Sequence, residues 1–199
     1  MFSFPNTDKK LKDRISSYNS ALKKEKKDFG YIGDGGGKRY LLFWLYFVLN
    51  DLKKSQKYFE WYKSEFSDDF GEPIQELCWT LSLHRMGKAD EAKLKLANLM
   101  LSNLYLIPKL IGLEIQEYDI WHSSNYEDID FVEDLPEAVV ENIEQSEIQW
   151  MENLYYSFEF RRIRKQYIEI YRKLKDTNDL EKRGALLDES YSLLDILNQ

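Results

Sequence analysis

Leu11, Ile15, Tyr18 and Leu22 recur at intervals of four, three and four residues, the spacing of one face of an amphipathic helix. Candidate caps at Asn6 to Asp8 precede this stripe and Gly30 follows it, which predicts a helix within residues 1–30 that is basic on its outer side. A glycine-rich loop comes next. The run from Tyr40 to Leu49 is then apolar on nearly every side, the pattern of a central, buried helix. After Pro136, the positions Ile148, Met151, Tyr155, Phe158, Ile163, Tyr167, Ile170 and Leu174 keep mostly helical spacing, as one long helix or two joined at a kink. A last helix is predicted from about Asp179, capped by Thr177 or Asn178, through Leu187, Tyr191, Leu194 and Leu197. Residues 113–134 show little period and carry Tyr118, Trp121, Tyr126 and Phe131, so they read as a connector.

Between Arg39 and Gly112 the chain repeats itself at an offset of 35 residues. Leu42 falls on Leu77, Trp44 on Trp79, Val48 on Leu83, Lys53 on Lys88, Phe59 on Leu94, Trp61 on Leu96 and Phe66 on Leu101. A period of this size marks stacked helical hairpins. The turns fall at Asp51 to Lys54 and at Gly87 to Asp90, and Gly71 and Pro73 separate the two units. In the second unit Leu83, Gly87, Ala92 and Leu96, within the run GKADEA, resemble a tetratricopeptide repeat, and residues 39–112 are similar to divergent bacterial domains of that type. Trp79 and Leu77 crowd the start of the pattern, and Pro108 arrives about four residues late. The resemblance implies helical hairpins that recognise a peptide or protein.

With four prolines and nine glycines in 199 residues, and Leu, Lys, Glu, Tyr and Ile dominant, an all-α fold is favoured over any sheet. The expected architecture is a single helical domain: an N-terminal helix in 1–30, repeat-like stacked hairpins in 39–112, an acidic connector in 113–134 and C-terminal packing helices in 135–199. The longest apolar run, ten residues, is short of the ~20 that span a bilayer. The start MFSFPNTDKK lacks the apolar stretch of a secretory signal, and Cys78 is the only cysteine, so a cytoplasmic protein that does not bind membranes is expected.

Net charge is −7, but its distribution says more than the total. From residue 110 to 160 there is no Lys or Arg, while 14 Asp and Glu occur. Such a block repels phosphates and attracts cationic surfaces, on a partner or on the chain's own basic segments. The lysine clusters Lys9, Lys10, Lys12 with Arg14, and Lys23, Lys24, Lys26, Lys27, are interleaved with Asp8, Asp13, Glu25 and Asp28 and accompany no nucleic-acid-binding motif, so no nucleic acid partner is expected.

Candidate chemistry is sparse. The loop from Gly33 through Lys38 to Arg39 invites a phosphate, because amides at a helix start attract anions, yet it has three residues between its glycines where a P-loop needs four, and Arg39 follows the lysine. His84 and His122 are few for a metal site, although His122 with Glu117 and Asp119 could contribute carboxylate ligands. No nucleophile elbow occurs, and Cys78 beside Trp79 falls in a helix expected to be buried. The expectation is therefore a non-catalytic protein–protein interaction module with no cofactor and no metal, its groove lined by Lys38, Arg39, Tyr46, Asn50, Ser82 and Arg85. The alternative is an inhibitor or immunity-type protein that presents Glu127, Asp128, Asp130, Glu133, Asp134 and Glu137 to a cationic toxin or nucleic-acid enzyme.

Overall fold

The computed structural model describes residues 2–198, apart from the side chains of Asp134 and Asn198. In chain order the helices are α1 (Asp8–Phe29), α2 (Lys38–Leu49), α3 (Leu52–Glu65), α4 (Pro73–Arg85), α5 (Ala89–Ser102), α6 (Leu106–Leu110), α7 (Glu137–Val140), α8 (Gln145–Tyr155), α9 (Phe158–Asp176) and α10 (Leu180–Tyr191). Short 3-10 segments lie at Asn125–Glu127, Ile129–Asp134 and Ser192–Asn198. Among the described residues there is no strand, so the fold is all-α, in keeping with stacked helical hairpins. No helix among them is long and apolar enough to cross a membrane.

The chain forms two compact units, one of residues up to Lys88 together with Pro136–Ile143, the other of Ala89–Leu135 together with the chain from Glu144 onward. Their boundary falls in the turn of the second expected hairpin. Charge follows it too: the first unit has 16 Lys and Arg against 14 Asp and Glu, the second 12 against 21.

In the first unit α2 is the hub, packed by α1, α3, α4 and α7, as its all-round apolar sequence requires. Phe43 lies at the centre of a ring cluster with Tyr58, Phe59, Tyr62 and Trp79, at centroid distances of 4.9 to 5.1 Å. Trp44 lies one residue on and has other neighbours, Phe2 and Phe4 from the N-terminal segment. Trp44 and Trp79, aligned by the 35-residue offset, therefore meet different rings. Helix α1 begins where Thr7 accepts the Lys10 N–H and ends at Gly30, with Leu11, Ile15 and Leu22 buried. Pro73 opens α4, whose residues from Pro73 to Leu83 are all buried.

Ahead of α4, Gly71 sits at φ 75°, and a side chain there would collide with Gln75. Glu72 precedes the first turn, its N–H donating to Gln75 Oε1 at 3.2 Å, while its own Oε1 is buried without a partner. Burial raises this carboxyl to about 7; the Trp44 indole N–H, nearby but making no hydrogen bond, offsets part of the shift.

In the second unit α9 is the core helix, burying Phe160, Ile163, Tyr167, Ile168, Ile170, Tyr171 and Leu174 against α5, α8, α10 and the closing 3-10 segment. Where one long helix or two joined at a kink were expected, there are two helices with a full break: α8 stops at Tyr155, and Ser157 caps α9 by accepting the Phe160 N–H at 3.3 Å. The cap of α10 is Asp179 itself, which accepts the Lys182 N–H at 2.9 Å, rather than Thr177 or Asn178.

The acidic connector is tied to the helices by hydrogen bonds and ion pairs. Asn103, fully buried, donates to the Tyr126 and Asp128 carbonyls at 2.7 and 3.2 Å and accepts the Tyr105 and Leu106 N–H groups, both at 2.9 Å. The Tyr118 N–H donates to the Tyr105 hydroxyl at 2.9 Å, and Trp121 lies against Tyr171 under the Arg183 guanidinium. Lys109 pairs with Glu133 at 3.1 Å, and Lys175 pairs with Asp119.

Candidate functional site

The six groove residues expected from the sequence are distributed over different parts of the first unit. Lys38 and Arg39 open α2, and the phosphate-like loop before them is closed by the protein's own carboxylates. Asp34, buried and at φ 42°, accepts the Lys38 and Arg39 N–H groups at 2.9 and 2.8 Å. Glu25 accepts the Gly33 and Asp34 N–H groups at 3.1 and 3.2 Å. Amides that would hold an anion are thereby filled from within. The Arg39 side chain pairs with Asp69 at 2.7 Å and lies over Tyr40 and Phe66.

Arg85 and Asn50 do meet, at 3.2 Å, but in a structural staple: the guanidinium lies over the Phe47 ring and donates to the Asn142 carbonyl at 2.6 Å, joining α4 to the residues after α7. Ser82 is buried, donating to the Cys78 carbonyl at 2.7 Å, and is no part of a surface. Its helical face points into the core because α4 is buried all round, a fact its mixed sequence did not announce.

Arg39 borders a space of about 350 Å³ with Glu65, Phe66, Ser67, Asp68 and Asp69, and Tyr46 lines a larger cleft. This cleft, about 500 Å³, lies among α1, α2 and α3. Ile15, Tyr46, Leu49, Tyr58 and Trp61 supply its apolar surface; Lys12 and Lys23 from α1 and Lys54 and Lys57 from α3 supply its charge. Both outer helices pack on α2, and the space between them exposes the end of that helix. Asn19 donates to the Tyr46 hydroxyl at 3.2 Å, and Lys54 pairs with Asp51 at 2.9 Å. Among the described residues no carboxylate lies within 4.0 Å of the Lys12, Lys23 or Lys57 ammonium, and no acceptor takes the Tyr46 hydroxyl proton. Burial raises the Tyr46 hydroxyl above its ordinary range, with Asn19 and Lys54 opposing, and the Lys54 hydrogen bond lowers the Asp51 carboxyl. The cleft is thus rich in donors and positive charge over an aromatic base.

The signal for it was present in the chain. Lys12, Ser16, Asn19 and Lys23 each follow by one residue the stripe positions Leu11, Ile15, Tyr18 and Leu22, so they edge the packed stripe. Lys54, Lys57, Tyr58 and Trp61 repeat the helical spacing on α3. What the sequence did not give was that these two edges face each other.

The acidic residues are used unevenly. Glu127 turns inward to accept the Ser123 N–H at 2.8 Å, and His122 Nδ1 lies 3.9 Å from it and 3.8 Å from Asp128. Asp130 is exposed, Glu133 faces Lys109, and Glu137 is an exposed residue of the first unit. Asp134 lies outside the described side chains. Of the carboxylates that could have joined His122, Asp119 is engaged by Lys175, and no group of three or more potential metal ligands occurs among the described residues. Cys78 is buried, which drives its thiol pKa up and leaves it unreactive. No protein-family model, curated protein or solved structure matches this chain.

Proposed function

We propose that this chain is a non-catalytic, helical protein-interaction module and that the α1–α2–α3 cleft is its recognition surface. The observation that carries the reading is an aromatic base bordered by four lysines, of which Lys12, Lys23 and Lys57 have no carboxylate within 4.0 Å among the described residues, the combination of apolar anchor and directing charge that protein-binding surfaces use. A likeness to tetratricopeptide-type hairpins agrees with it, because such hairpins recognise protein segments between successive helices. A photo-cross-linking residue at Ser16, on the α1 wall, should give a discrete adduct in native extract that the same residue at the exposed Glu181 does not give. Equal background from both positions would refute the reading.

A second reading has its own support in the second unit, where 21 Asp and Glu outnumber 12 Lys and Arg and Asp130 is exposed. There the protein would be an inhibitor or immunity-type binder of a cationic toxin or nucleic-acid enzyme. Loss of the native adduct partner on reversal of Asp130 and Glu133, with the cleft lysines intact, is the result that would favour it.

A further inference from the structure

We infer that the occupant of the α1–α2–α3 cleft is an acidic peptide segment with apolar side chains between its carboxylates. This deepens the reading of the cleft as a protein-binding surface and rests on it. Charge complementarity supplies the first argument. Four ammonium groups border the cleft, two on each wall, and among the described residues only Lys54 is engaged by a carboxylate. The hydrogen-bonding inventory points the same way, since the lysines can only donate and the Tyr46 hydroxyl has its proton unused, so the matching ligand is rich in acceptors.

Apolar character supplies the second argument. Leu49, Tyr46, Tyr58 and Trp61 offer a surface that a bare polyanion would leave unsatisfied, whereas Leu or Phe side chains of a peptide would bury it. A nucleic acid fits less well, because arginine, which pairs with phosphates through two parallel N–H groups, is absent from the lining. From Lys12 to Lys23 the α1 wall is ~16 Å long, which matches about five extended residues or three helical turns.

The test uses the full chain and a synthetic peptide of about 12 residues, alternating Glu with Leu and Phe, beside its control with every Glu replaced by Gln. Calorimetry gives the affinity, and amide chemical shifts locate the site. Binding at Lys12, Ser16, Asn19, Lys57 and Trp61 is expected, weakened about tenfold or more by the Gln peptide, by the Lys12→Glu, Lys57→Glu double variant, or by raising salt from about 0.05 to about 0.5 M. Both variant positions are exposed, and circular dichroism checks that the variant is folded. Equal affinity for the Gln peptide, shifts outside the cleft, or tighter binding of a single-stranded oligonucleotide at the same amides would each overturn the inference. So would no binding at all; in that case a persisting Ser16 adduct would leave the protein-interaction reading standing, and its loss would remove both.

Discussion

Glu72 offers the sharpest quantitative test of the fold. Its carboxyl is raised from the usual 4.5 to about 7 by burial, with Oε1 unpartnered. In the unfolded chain the group ionises near 4.5, while the folded protein retains the proton to about 7. Over that window the unfolded state binds fewer protons, so stability falls as pH rises and then levels off. A displacement from 4.5 to about 7 corresponds to a loss of about 3 kcal/mol. Glu72→Gln, neutral and of the same shape, escapes this loss. Urea unfolding followed by helical circular dichroism should therefore find the variant close to wild type near pH 4 and more stable by up to about 3 kcal/mol near pH 8. A carbon-detected titration of the wild-type carboxyl should place its midpoint near 7. An advantage of equal size at both pH values, or a midpoint in the ordinary carboxylate range, would refute the reasoning.

Phe43→Ala removes the ring that Tyr58, Phe59, Tyr62 and Trp79 all contact, and should destabilise by about 3–5 kcal/mol in the same urea assay. Asp34→Ala opens two amides at the start of α2 and should cost about 1–2 kcal/mol; added phosphate should recover part of the loss if those amides then bind an anion. Asn103→Ala strands two N–H groups and two carbonyls, so it should cost at least about 2 kcal/mol and speed proteolytic cleavage near Tyr126, read by mass spectrometry of the fragments.

Much of the architecture was legible because its cause is local. The stripe Leu11–Ile15–Tyr18–Leu22, the stop at Gly30 and the start at Pro73 act within a turn or two of helix, and α1 ends and α4 begins where those residues place them, whereas α3 already ends at Glu65, ahead of Gly71. The break between α8 and α9 was harder to see. Apolar spacing runs across Tyr155 and Phe158 almost without interruption, and only the Ser157 cap ends the register.

The candidate site was legible only in fragments. Spacing puts a residue on a face of its helix, and from the sequence Tyr46, Asn50 and Ser82 are equally plausible groove residues. Tertiary packing separated them: Ser82 went into the core, Asn50 became a partner for Arg85, and Tyr46 remained at the base of a cleft. The sequence by itself determined the helical class, the buried nature of α2 and the segregation of charge, since each follows from composition and short-range period. Only the tertiary structure decided that Asp34 and Glu25 occupy the glycine-rich loop, and that lysines 42 positions apart, Lys12 and Lys54, border one space. Such pairings depend on how α1 and α3 dock on α2, a non-local choice set by shape complementarity among large side chains that no pattern along one helix encodes.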